Sequence, residues 1–320
     1  MKKSLIALAV MAAAGAASAQ SSVTLYGTVD AILHKDKGAS TALTSGGVGS
    51  SNFGLKGSED LGGGLKANFK LEQGFSLDNG SAPVDADGKT LGQAFSRESW
   101  VGVSGGFGEV QVGKTWSAYD DVYGGFGVFD ANVLAPAKLV FPGYRDQAVN
   151  GVKYMTPTYA GFSGAVSLSL KEDPAVTGLD ENVASYNVKY ENGPFAAAVA
   201  YQDNQGSLAA DKLTFVNASY NFGVVKLLGA FQQSKDAAGD KTNGYNLAVD
   251  YPVASNLVLS AAYGSSKADG AERQSVTSLA AAYLLSKRTT VYAGIANGND
   301  EAAAAGAPDS RVGFGVRHSF

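Results

Sequence analysis

Tyr245-Asn246-Leu247-Ala248-Val249-Asp250-Tyr251 carries the pattern on which the fold turns. Odd positions are large and apolar or aromatic; even positions are polar or small. This is the period of a β-strand with two unlike faces. It recurs outward in both directions. Towards the N-terminus, Phe162, Val166, Leu168 and Leu170 alternate with Ser163, Ser167, Ser169 and Lys171. Leu65, Ala67, Phe69 and Leu71 alternate with Lys66, Asn68, Lys70 and Glu72, and Val23, Leu25 and Val29 with Thr24, Thr28 and Asp30. Towards the C-terminus, Val312, Phe314 and Val316 alternate with Arg311, Gly313, Gly315 and Arg317. Most of these segments extend to about ten residues, the length a tilted strand needs to cross a bilayer. The alanine-rich runs 196–200 and 280–282 are softer, and their local propensity does not exclude helix.

Two kinds of connection alternate between the segments. Tight, turn-rich ones stand at 60–64, 105–108, 191–194, 221–223 and 286–288. Longer polar ones stand near 34–50, 76–94, 172–181, 203–211, 234–243, 265–274 and 297–309. Together they predict about 16 strands, from 22–33 to 310–320, in a hairpin meander with turns at one end and loops at the other. The longest segment without clean alternation is 117–148, and it is apolar for a loop. A connection of that length is usually functional or disordered.

Composition narrows the classes. The 320 residues include 41 glycines, two histidines and no cysteine. No disulfide framework, thiol nucleophile or cysteine metal site is available, and a histidine-rich metal centre is also excluded. Residues 1–19 combine Lys2-Lys3, a short apolar stretch and Ala17-Ser18-Ala19, the three parts of a secretory signal. The expected division is therefore a signal peptide at 1–19 and one domain at 20–320. Without Lys2 and Lys3 the 25 basic residues become 23 against 29 acidic, a net charge of −6. That argues against a nucleic-acid partner. No run of 18 apolar residues follows Gln20, so no membrane helix is expected.

An exported sheet with two unlike faces is a soluble sandwich or a membrane barrel. Sandwich strands commonly run about five or six residues, shorter than these. A sheet in hydrocarbon must close, because an open edge leaves backbone groups unpaired. The pattern therefore predicts an all-β chain: a 16-stranded antiparallel transmembrane β-barrel with apolar side chains towards lipid and polar ones inside. Tyr154, Tyr186, Tyr190, Tyr201, Tyr220, Tyr251, Tyr263, Tyr283 and Phe320 fall near strand ends, as an interfacial girdle requires.

Particular stretches strengthen this. They are Ser22-Val23-Thr24-Leu25-Tyr26-Gly27, the run from Phe53 to Ala67 (Phe-Gly-Leu-Lys-Gly-Ser-Glu-Asp-Leu-Gly-Gly-Gly-Leu-Lys-Ala), Arg97-Glu98-Ser99-Trp100-Val101-Gly102-Val103, Asn150-Gly151-Val152-Lys153-Tyr154-Met155-Thr156-Pro157, Tyr283-Leu284-Leu285-Ser286-Lys287-Arg288-Thr289 and Val312-Gly313-Phe314-Gly315-Val316-Arg317-His318-Ser319-Phe320. In this order they resemble the general porins of the Gram-negative outer membrane, particularly the neisserial and burkholderial branch. The resemblance implies a homotrimer among outer-membrane lipids and a third long loop folded into the lumen. It also implies a terminal Phe320 read by the barrel-assembly machinery. This loop departs from the family in lacking Pro-Glu-Phe at its tip, and Arg145 stands slightly further from Tyr154 than the family's arginine does.

Candidate pore residues follow. Arg97 looks like the family's lumen-facing arginine, and a charge on the lipid face at mid-depth costs about 2–4 kcal/mol. Lys114 leads into the long loop, and Arg145 stands near its end. Lys56, Lys66 and Lys70 point inward by alternation. Asp120, Asp121 and Asp130 on the loop would face this basic wall, and opposed rows of charge orient dipolar solutes and select ions.

Enzyme readings find little support. Glu59-Asp60 and Asp120-Asp121 are adjacent pairs, not a shared acid–base site. His34 and His318 have no triad or metal partners around them. Gly46-Gly47-Val48-Gly49 and Gly105-Gly106-Phe107-Gly108 lack the lysine and helix of a phosphate cradle. Asp85-Ala86-Asp87-Gly88 lacks the distal glutamate of a calcium loop. The expected function is passive diffusion of small hydrophilic solutes and ions, without cofactor or metal. The alternatives are a channel specific for a sugar or organic anion, and a non-conducting adhesin barrel. Residue types alone leave cation or anion preference open.

Overall fold

The computed structural model describes residues 22–82, 94–172, 181–205 and 210–320. The proposed signal at 1–19 and the Asp85–Gly88 stretch lie outside the described residues. The first strands are β1 (Ser22–Asp36), the short β2 (Ala42–Ser45), β3 (Asn52–Gly62) and β4 (Leu65–Gly74). Then come β5 (Glu98–Gly105), β6 (Gly108–Trp116), β7 (Gln147–Met155), β8 (Phe162–Ser169), β9 (Val183–Asn192) and β10 (Phe195–Asp203). The chain continues through β11 (Lys212–Asn221), β12 (Lys226–Lys235), β13 (Lys241–Ala254) and β14 (Leu257–Ala268). It closes with β15 (Gln274–Leu284), β16 (Thr289–Gly298) and β17 (Ser310–Ser319). Each strand pairs antiparallel with its neighbours, and β1 pairs with both β17 and β3, which shuts the cylinder. Setting aside β2, a four-residue ribbon against β1, the barrel has sixteen strands.

The faces follow the alternation. Leu247 is 69% exposed, whereas its neighbour Asn246 is 1% exposed. A barrel that turns large apolar residues outward and amides inward is built for lipid outside and water inside. The alanine runs resolve as strands, within β10 and β15, so tertiary pairing overrides their local propensity. Phe320 exchanges main-chain hydrogen bonds with Gly27, and its ring lies where a Gly27 side chain would stand. The C-terminus thus seals the first strand to the last.

The connection between β6 and β7, here L3, spans 117–146. It does not project outward. It holds two single 3₁₀ turns, Asp120–Val122 and Val128–Asp130, and helix α1 (Pro136–Val140). Tyr119, Phe126, Val128 and Leu134 are fully buried in a core with Phe215, Leu213, Ala200, Ala248, Ala280 and Ala296. Most of these partners are inward-facing alanines. They explain why an apolar loop folds back: the small wall side chains leave a bed that its aromatic rings fill. Where the loop rests, the interior wall therefore mixes small apolar side chains with buried amides and hydroxyls.

Candidate pore constriction

A series of wall side chains holds L3 by its backbone. Asn187 Nδ2 donates to the Ala118 carbonyl at 2.6 Å, and Asn217 Nδ2 to those of Val122 and Gly124 at 2.8 and 2.9 Å. Gln232 Nε2 donates to the Tyr119 hydroxyl at 2.9 Å. Asn246 Nδ2 donates to the Phe126 carbonyl at 2.9 Å. The Val128 N–H donates to Ser260 Oγ at 2.5 Å, and Ser278 Oγ to the Leu134 carbonyl at 2.6 Å. Arg311 reaches the Val133 carbonyl at 3.1 Å. These partners stand on β9, β11, β12, β13, β14, β15 and β17 in turn. Buried backbone groups must be paired, and the inward amide or hydroxyl of successive strands does this. None of these bonds falls on β3, β4 or β5, so the loop lines the opposite side of the barrel and leaves that wall bare.

The tip of L3 is held in an uncommon shape. Val128, Phe129 and Asp130 have φ of 53°, 62° and 51°. Three successive non-glycine residues in the left-handed region are costly unless the surroundings fix them. Here the Asp130 carboxylate accepts the N–H groups of Gly125 (3.2 Å) and Phe126 (2.6 Å), and Ser260 takes that of Val128. Gly127, at φ 70°, leaves no room for a side chain: a Cβ would stand 2.3 Å from that of Ala248.

Arg97 precedes β5 rather than lying within it, and its side chain turns inward. Its Nε donates to Glu72 Oε1 at 2.5 Å, and its guanidinium lies 4.8 Å from the Trp116 ring centroid. Lys114 Nζ donates to the Ser96 carbonyl at 2.6 Å. Gln147 Nε2 reaches the same carbonyl and that of Arg97. These contacts tie the roots of L3 to the end of the preceding long loop. A cavity of about 370 Å³ opens here, lined by Arg97, Trp116, Asn132, Asp146 and several serines.

Lys70 pairs with Glu98 and Glu72. Lys56 stands opposite it in register. Both ammonium groups lie over the Tyr26 ring, 5.1 Å from its centroid for Lys56 and 5.6 Å for Lys70. Lys66 stands two residues beyond the 63–64 turn, at the far mouth of the barrel from the roots of L3. The Arg145 backbone exchanges two 2.8 Å hydrogen bonds with the Gln202 side chain.

The loop acids are largely occupied. Asp121 pairs with Lys153 at 2.6 Å, and Asp130 caps its own turn. Asp120 accepts the Tyr144 hydroxyl at 2.5 Å. Burial pushes the Asp120 carboxyl up to about 6, and Asp146 and Asp121 add to the rise; the Tyr144 hydrogen bond and Lys138 oppose it. Facing carboxylates were expected from all three positions. Two of the three instead fix the shape of the loop, because a tight turn and a buried lysine need the charge more than solvent does.

Sequence reasoning left out Glu72, Glu98, Trp116, Lys153 and Arg311. Glu72 and Arg311 lie on the polar face of the alternation, so their inward direction was available. Their partners come from distant strands and were not.

Residues 5–303 match a family model described as Gram-negative porin. The chain is 36% identical over 365 residues to outer membrane porin protein 32 of Delftia acidovorans, covering all of both. Among solved structures it is similar to an anion-selective porin from Comamonas acidovorans, with a TM-score of 0.76 and 31% identity over 94% of this chain and 100% of the other. The trimer form of OmpT from Vibrio cholerae shares the fold, with a TM-score of 0.70 and 19% identity over 94% and 99% of the two chains.

Proposed function

We propose, from the premise that this chain belongs to the Gram-negative porin family and is an outer-membrane channel for passive diffusion, that solutes are selected by size and charge between L3 and the bare β3–β6 wall, with a preference for anions. The observation that carries this is the one-sided seating of L3. Wall bases Lys56, Lys70, Arg97 and Lys114 meet the wall acids Glu72 and Glu98. Across the gap, Asp121 is paired with Lys153 of the β7 wall, and the Asp130 carboxylate is turned onto two loop N–H groups. Excess positive charge in a narrow, low-dielectric passage favours anions. Arg145 adds to this field from the end of L3, and Lys66 acts at the turn-side mouth. The similar Comamonas protein is described as anion-selective.

The same reading includes export by the 1–19 signal, a homotrimer among outer-membrane lipids, and recognition of Phe320 by the assembly machinery. The trimer form of the Vibrio protein, whose fold is shared, agrees with three copies.

Reversal potential across a planar bilayer in a potassium chloride gradient tests the charge selection. The wild type is expected to favour chloride, and Arg97→Ser to shift towards potassium, since the wall loses one positive charge and Glu72 keeps only Lys70 as a basic partner. A wild type that favours potassium, or no shift in the variant, would refute it.

A further inference from the structure

The turn-side half of the bare wall carries a second recess, of about 350 Å³, away from the cavity beside Arg97. It lies within the range of small-molecule sites, about 300–1,000 Å³. Its lining includes Thr24, Lys56, Ser58, Asn68, Trp100 and Glu109. The Trp100 indole N–H is already spent on Glu98 at 2.9 Å, so this side chain offers the recess its apolar ring. The Lys56 ammonium lies over the Tyr26 ring, and among the described residues it forms no ion pair. Its neighbour Lys70 carries the charges of Glu98 and Glu72 instead. Glu109 lies at the other side, accepting from Gln111 Nε2 at 3.3 Å and from Asn68 Nδ2 at 3.5 Å.

The chemistry of this set is specific. A cation without a carboxylate partner takes an anionic group. An indole face takes the C–H face of a sugar ring. Hydroxyls, an amide and a carboxylate together give and accept hydrogen bonds, which suits a ligand bearing several hydroxyl groups. Glu109 would repel a simple anion, but it accepts from a hydroxyl. A plain organic acid would leave the indole, Glu109 and the hydroxyls unused, and a neutral sugar would leave Lys56 unused.

We propose that this recess is a transit subsite for sugar acids, in which a pyranose ring lies on Trp100, its carboxylate on Lys56, and its hydroxyls on Ser58, Asn68 and Glu109. The subsite rests on the channel reading above and names a solute class for it. It would hold a solute that has passed L3 and raise its occupancy on the way out.

Single-channel recording with glucuronate, glucose or acetate added to the bath tests this, each current normalised to the same channel's open level. Glucuronate is expected to block with a half-blocking concentration at least tenfold below those of glucose and acetate. Lys56→Gln is expected to weaken glucuronate block about tenfold and leave the weak glucose block alone. Trp100→Leu is expected to weaken both sugars. Heat-modifiable migration on gels identifies folded barrels, and Lys56→Gln keeps the test open if Trp100→Leu does not fold. Equal block by glucuronate and acetate, or equal loss of both sugars in Lys56→Gln, would overturn the subsite while leaving the channel intact. A wild type that does not conduct would instead overturn the channel reading.

Discussion

The Lys153 ammonium, 3% exposed on β7, lies 2.6 Å from Oδ1 of Asp121 and 3.0 Å from the Trp116 carbonyl oxygen. One wall side chain therefore clamps both the root of L3 and its first turn. Removing one partner of a buried pair strands the other charge, at about 3–5 kcal/mol. Asp121 keeps some contact with water, so the lower end applies. Lys153→Met is expected to loosen L3 by about 3 kcal/mol, seen as excess current noise and faster proteolysis within 117–146. Lys153→Met with Asp121→Asn is expected to recover much of the loss. A quiet single variant would show that the pair does not hold the loop.

The amides of Asn217 and Asn246 carry three loop carbonyls between them. A buried carbonyl left without its donor costs about 1–3 kcal/mol. Asn246→Leu and Asn217→Leu are each expected to increase loop mobility, and the two together to add, since they grip different parts of L3. Hydrogen exchange at residues 118–135 reads this. Protection equal to the wild type in the double variant would contradict the role assigned to the amides.

Gly127 combines a left-handed φ of 70° with a missing Cβ that would collide with Ala248. Gly127→Ala is expected to cost about 1–3 kcal/mol in overpacking alone, with backbone strain in addition. The loop tip would leave its bed, and the channel would carry a larger current. An unchanged conductance would argue that the tip does not border the pathway.

Asp120 is a loop acid whose charge changes within reach of experiment. Its carboxyl is raised from 3.8 to about 6, so the docked loop binds a proton more tightly than the free one. The resulting stabilisation is complete below about pH 4 and is lost as pH rises through about 6. Protonation also removes one negative charge from the loop. Reversal potential in a salt gradient is therefore expected to move towards chloride between pH 7 and pH 5. Asp120→Asn at pH 7 should move towards the wild type at pH 5 and show a weaker pH response, the remainder coming from Asp146, whose carboxyl burial also raises. A variant that keeps the full pH response would place the titrating group elsewhere.

The alternation of Tyr245, Leu247, Val249 and Tyr251 with Asn246, Ala248 and Asp250 was enough to give both the strand and its orientation. A two-residue period has only two faces, and lipid selects one of them. The same reasoning sent Lys56 and Lys70 to the face they share with Tyr26, over whose ring both ammonium groups lie. It said nothing of height, which depends on shear, so the distance of Lys66 from L3 was hidden. The purpose of Ala200, Ala248 and Ala280 was hidden too. A small inward residue fits open water or a packed loop equally well, and only the loop's rings distinguish them. Asp130 looked like a pore acid because its service to Gly125 and Phe126 exists only once the left-handed turn has formed. Arg97 was legible as inward, but its partners Glu72 and Trp116 come from two other strands.

Polymer exclusion in a planar bilayer reads the width of the pathway directly. The wild type and a variant lacking residues 124–143 would be recorded in matched solutions of neutral polymers of increasing size. The wild type is expected to conduct ohmically with a sharp size cut-off, and the shortened variant to conduct more and admit larger polymers. A wild type that never conducts, or an identical cut-off in both, would contradict a water-filled barrel narrowed by L3.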